Sequence, residues 1–195
     1  MYPDQSINKF LDDLSSNNSI PGGGSAAALS GASAAAVVAF IANLTIGKEK
    51  YKDVEAEAEE VLDTASKLKK ELLAMIDEDS KILEEILDTY KTGDKEKLTE
   101  VCKKAVSFSM EMTKKCVDVM ENTLKISKIG NRMLASDFEV AAYTGDGAVN
   151  SAIANVKINL NTIKDEDYVS EITEAYYELK GRSSKLKEEI IKIAQ

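Results

Sequence analysis

The chain of 195 residues contains no histidine and no tryptophan. Without imidazole there is no Ser–His or Cys–His nucleophile, no histidine general base and no zinc site of the kinds that need His. Proline occurs twice, at Pro3 and Pro21, so no proline ring interrupts a helix from Gly22 onward. Cys102 and Cys116 are the only cysteines. Fourteen residues apart on one helix, they would stand about 21 Å from each other, too far to bridge or to share a metal. Two free thiols suit a reducing cytosol, and small buried hydrophobes account for both. No Lys/Arg run marks a basic patch, and the net charge of −9 repels nucleic acid phosphates and anionic membranes.

No stretch alternates polar and apolar residues over the length of a strand, while Ala, Leu, Glu and Lys, the strong helix formers, dominate. The expected fold is all-α, one domain spanning 1–195, an antiparallel multi-helix bundle with long central helices. A short first helix covers Ile7–Leu14, and Ser15–Gly24 forms a loop. An Ala-rich helix follows, N-capped by Ser25 and closed by Gly47. Long helices run over 53–91 and 94–128. Gly130-Asn131 is a stop, followed by helices over 132–144 and 146–163. A last helix runs from Asp165 to the end, with a kink expected at Gly181. No charged residue occurs from Leu14 to Gly47, and Ser25–Ile46 has the length of a membrane span, but its Ala, Ser and Gly gain little from lipid, and no basic region precedes it. It reads as a core helix that neighbours approach on every face.

The third helix carries a heptad seam: Val54, Ala58, Val61, Ala65, Leu68, Leu72, Met75, Asp79, Ile82, Ile86. Asp79 is its one charged member. An ionised carboxylate on a packed face is costly unless it is paired or put to use. A catalytic acid–base role is the favoured reading. A buried salt bridge or a register-fixing polar residue is the alternative. Asp77, off the seam, reads as a solvated helix residue. The Pro21-Gly22-Gly23-Gly24-Ser25 loop leads into a helix N-terminus, where backbone N–H groups are free for a ligand. It lacks a Walker lysine, and a flexible turn explains it equally well. Asn155 and Asn159 share one helix face and offer paired amide donors and acceptors. Inter-helix hydrogen bonds are the competing explanation. Asn131, Ser136 and Asp137 cluster after Gly130, where helix capping accounts for at least one of them.

In order along the chain, Phe10-Leu11, Pro21–Leu29, Leu44–Lys48, Ile76–Asp79, Gly130-Asn131, Ser136-Asp137 with Val140–Ala142, and Asn155–Leu160 resemble the formiminotetrahydrofolate cyclodeaminase and methenyltetrahydrofolate cyclohydrolase family. The resemblance implies an all-helical homodimer with a folate site between helices, and a catalytic role for the second acid of the Asp-x-Asp pair, which is Asp79. It implies pterin contacts from Gly22, Gly23, Gly24, Ser25, Asn155 and Asn159, with Asn131 and Asp137 as further binding residues. Lys48 is placed for the glutamate carboxylates or is simply a solvated helix-end lysine. No metal, and no cofactor beyond the tetrahydrofolate substrate, is expected. Ser109 stands where the family often has proline, so the fourth helix is expected to run straighter there. A chain without a formiminotransferase partner is expected to be the cyclohydrolase. The cyclodeaminase is the second reading, and a non-catalytic folate-binding or assembly dimer the third.

Overall fold

A computed structural model describes all 195 residues. Six α-helices make one bundle: α1 Ile7–Leu14, α2 Gly23–Asn43, α3 Glu55–Thr92, α4 Lys95–Ile129, α5 Ala135–Leu160 and α6 Glu166–Ala194. Short 3₁₀ turns at Tyr2–Asp4, Glu49–Val54 and Arg132–Leu134 join or precede them. α3 and α4 form an antiparallel hairpin. Its turn is Gly93, in the left-handed region at φ +73°, followed by Asp94, whose side chain caps α4 by accepting from the Lys97 N–H. α2 and α5 pack on each other and on this hairpin, and α6 lies outside α4 and α5.

The heptad seam of α3 is realised. Ala58, Val61, Ala65, Leu68, Leu72, Met75 and Ile82 are all buried. Burying such apolar side chains contributes about 1.5–3 kcal/mol for each large one, and this holds the long helices together. Both cysteines are buried in α4 and unbridged, and α4 continues as helix through Ser109.

Three expectations need correction. Residues 132–144 and 146–163 are not separate helices; they belong mostly to one continuous α5. Gly145 sits inside it, where a Cβ would collide with the Met120 sulfur of α4. The glycine thus permits close packing, which outweighs its helix cost of about 1 kcal/mol. Asp146, next to it, faces α6. It accepts from the Ser183 hydroxyl at 2.8 Å and pairs with Lys187 at 2.5 Å, which pins α6 to α5. Gly181 produces no break, and α6 runs through it.

The third correction concerns α2. It is long and apolar enough to cross a membrane, yet it lies among α3, α4 and α5. It is not covered on every face, however: Ser33, Ala36 and Phe40 form an exposed stripe. The neighbouring α5 exposes Val140, Tyr143, Gly147, Ala154 and Ile158. Apart from Lys157, the exposed residues of these two helices are uncharged.

Candidate active site

α2 enters the bundle N-terminus first, directly against α3. Its N-cap is Gly22, not Ser25, and no side chain caps it. Ser25 lies two residues inside the helix, fully buried, and its hydroxyl turns away from its own backbone to reach α3. There it donates to Oδ2 of Asp79 at 2.8 Å, with the Ile76 carbonyl at 3.3 Å. Gly24 explains how the helices come so close: a Cβ at this position would overlap the Asp79 carboxylate.

Asp79 is half-buried, and Ser25 is its hydrogen-bond partner. It makes no ion pair, so the buried salt bridge anticipated as one alternative is absent. Burial pushes its carboxyl above the usual carboxylate range, and the hydroxyl and backbone N–H of Ser25 oppose that rise. The result is a carboxyl group poised to hold or release a proton.

Asp79 opens onto a cavity of about 420 Å³ bounded by α2, α3, α4 and α5. Gly23, Gly24, Asn155 and Asn159 line it, while Gly22 and Ser25 do not. Each asparagine spends an amide hydrogen on the carbonyl four residues back, Asn155 on Ser151 at 2.9 Å and Asn159 on Asn155 at 2.8 Å. These bonds are within α5, not between helices. They fix the amides and leave the two Oδ1 atoms to accept from a ligand. The sequence did not single out the α3–α4 wall of apolar and small residues, among them Ile82, Ile86, Cys102 and Phe108. Those positions obey the helical pattern, and periodicity does not separate a cavity wall from a core.

The remaining residues lie elsewhere. Asn131 packs against the C-terminal end of α2, taking the Thr45 hydroxyl oxygen with its backbone N–H at 3.0 Å and the Leu44 carbonyl with its side-chain amide at 3.3 Å. Its Oδ1 caps the following turn. Lys48 follows the same end of α2, and Asp137 is in the first turn of α5 beside it. These three are therefore separated from Asp79 by the length of α2, 21 residues, or about 30 Å at the helical rise. Asp77 is not simply solvated. Its Oδ1 accepts the Tyr2 N–H at 2.8 Å and ties the N-terminal turn to α3, while its Oδ2 is buried without a partner.

The description "Formiminotransferase-cyclodeaminase" belongs to the family model that matches residues 6–178. The chain belongs to that family of folate one-carbon enzymes. A methenyltetrahydrofolate cyclohydrolase of Methylorubrum extorquens is 33% identical over 180 residues, covering 88% of this chain and 86% of that protein. The crystal structure of a formiminotetrahydrofolate cyclodeaminase from Thermotoga maritima superposes with a TM-score of 0.95 at 27% identity, covering 99% of this chain and 97% of that one. Family membership agrees with the resemblance carried by the loop, the acid pair and the asparagines.

Proposed function

We propose that this family member is a 5,10-methenyltetrahydrofolate cyclohydrolase with Asp79 as its acid–base group. One observation carries the reading: a half-buried carboxyl of raised pKa, paired with no cation, faces a cavity in a chain without histidine. Identity of 33% to a cyclohydrolase, against 27% to a cyclodeaminase, supports hydrolysis as the reaction.

The methenyl bridge between N5 and N10 is cationic, and a nearby carboxylate stabilises it electrostatically. Asp79 takes a proton from water as the water oxygen bonds to the bridge carbon. The C–N5 bond then breaks, N5 receives that proton from Asp79, and the remaining hydroxyl proton leaves as the formyl C=O forms. The balance is one water consumed and one proton released. Backbone groups of Gly23 and Gly24 and the Oδ1 atoms of Asn155 and Asn159 hold the pterin, while Ser25 orients Asp79. No metal or second cofactor enters, so activity should survive dialysis against EDTA; a loss restored by zinc would overturn that part.

The working form is a homodimer in the cytosol, formed through the uncharged α2–α5 face. An end-for-end pairing of two copies would bring Lys48, Asn131 and Asp137 of one copy towards the Asp79 cavity of the other. This would give those residues a place at the substrate that one chain alone denies them.

The deciding experiment follows the methenyl absorbance band with purified protein. Its loss with formation of 10-formyltetrahydrofolate is expected. Ammonia release from 5-formiminotetrahydrofolate without hydrolysis would establish the cyclodeaminase reading. Binding without either reaction would leave a folate-binding dimer.

A further inference from the structure

The register of the α3–α4 hairpin is read from side chains that meet across it. Glu85 meets Lys104, Glu71 meets Lys115, and the Val61 carbonyl accepts from Asn122. Interpolated between the first two pairs, the position level with Asp79 is Ser109. Both residues line the same cavity, one from each arm of the hairpin.

Ser109 is unusual among its neighbours. α4 buries four hydroxyl side chains. Thr113, Thr123 and Ser127 each return their hydroxyl to a carbonyl of their own helix, the common way to satisfy a helical Ser or Thr. Ser109 is only 4% exposed, its hydroxyl has no protein partner, and it borders the cavity that contains Asp79. The hydroxyl is not sealed in the core like the partnerless Asp77 Oδ2; it opens towards the cavity, where a bound molecule can take the hydrogen bond the protein leaves free.

We propose that Ser109 holds the water that attacks the bridge carbon, which makes it a positioning residue for hydrolysis. The inference rests on the cyclohydrolase reading. The water gives one O–H to the Asp79 carboxylate and the other to the Ser109 oxygen, and a lone pair then points at the carbon between them. As the C–O bond forms, the pair from the cationic C=N bond settles on nitrogen and Asp79 takes the first proton. When the C–N5 bond breaks, Asp79 gives its proton to N5, and the second proton leaves past Ser109 as the C=O forms. Ring closure of the formimino substrate expels ammonia and consumes no water, so Ser109 has no such task in that reaction.

The test compares wild type, Ser109→Ala and Ser109→Thr on the methenyl substrate, with a thermal melt of each. Loss of a hydrogen bond that aims the reacting water should lower kcat by about 10- to 100-fold while KM stays within about twofold. Ser109→Thr keeps the hydroxyl and should recover most of the loss, which a packing role would not predict. If Ser109→Ala fails to fold, Ser109→Cys, of similar volume, carries the same test. A kcat within about twofold of wild type overturns the proposal, as does a rise in KM at unchanged kcat, which would assign the hydroxyl to folate itself. A wild-type protein that leaves the methenyl band intact sinks the cyclohydrolase reading first, and this inference with it.

Discussion

The Ser25 hydroxyl and Oδ2 of Asp79 lie 2.8 Å apart, although 54 residues of chain separate them. The contact joins the first turn of α2 to the late part of α3, and Gly24 leaves it the room. It offers the carboxylate a donor without neutralising its charge, so the group stays half-buried, oriented and unpaired. An Asp–Lys bridge at this place would instead hold the carboxyl down in its ionised form. The geometry keeps proton transfer available.

Asp79→Asn keeps the size and the Ser25 contact and removes the charge. Turnover should fall by about 10²–10⁴-fold, the usual worth of a general acid–base group. The stability effect has a definite sign. Because burial raises Asp79, the folded chain binds this proton more tightly than the unfolded chain does. Stability therefore falls as pH rises from the ordinary value of 3.8 through the raised one, and the penalty is complete above it. Asp79→Asn should melt higher than wild type near neutral pH, with the gain vanishing below the ordinary value. Wild-type kcat/KM should rise with pH through the raised value, where the base form appears. Exposed Glu78 supplies the control as Glu78→Gln, since Asp77 anchors Tyr2. Full activity in Asp79→Asn would end its assignment as the base.

Two adjacent glycines should respond differently. Gly24→Ala forces a methyl group into the Asp79 carboxylate. It should cost about 1–3 kcal/mol, as overpacking does, and reduce turnover by displacing the acid. A Cβ at Gly23 meets nothing nearer than Asn155 Oδ1 at 3.9 Å. Gly23→Val should therefore keep the helical circular dichroism and weaken folate binding, because the new side chain occupies the cavity wall. Calorimetry is the measurement. Unchanged folate affinity would make Pro21–Gly24 a plain turn.

Much of the architecture was legible because helices declare their buried faces. The heptad of α3 marked Asp79 as the exception, and the structure gives that exception a cavity. Ser25 was misread because a serine after three glycines has the signature of an N-cap; that its hydroxyl turns to another helix depends on tertiary contact. Gly145 was misread as a break for a related reason, since local propensity disfavours it and only the approach of Met120 explains it. Ser109 was noted in the sequence for the proline it replaces, while its place opposite Asp79 depends on the hairpin register. Lys48, Asn131 and Asp137 were grouped with Asp79 through the resemblance alone, and sequence order gave no warning that α2 would hold them at the other end.

That separation makes the homodimer testable through catalysis as well as mass. Phe40 is 47% exposed, Val140 49%, Tyr143 56% and Ile158 63%, all on α2 and α5. An uncharged stripe of this kind is costly to leave in water and typical of a surface that another copy covers. Sedimentation equilibrium should give twice the chain mass of 21.2 kDa for wild type. Tyr143→Glu would bury a charge in each half of a symmetric interface, and should sediment as a monomer with its helical spectrum intact. Its turnover should drop as well if the end of a second chain completes each cavity. A mixing experiment separates this from general weakening. Asp79→Asn and Asn131→Ala are each expected to be impaired alone. Refolded together in equal amounts, half the dimers are mixed, and each of these has one cavity free of both changes, restoring about a quarter of wild-type activity. No recovery on mixing would place Asn131 outside the cavity. A wild-type monomer with full activity would remove the dimer from the mechanism altogether.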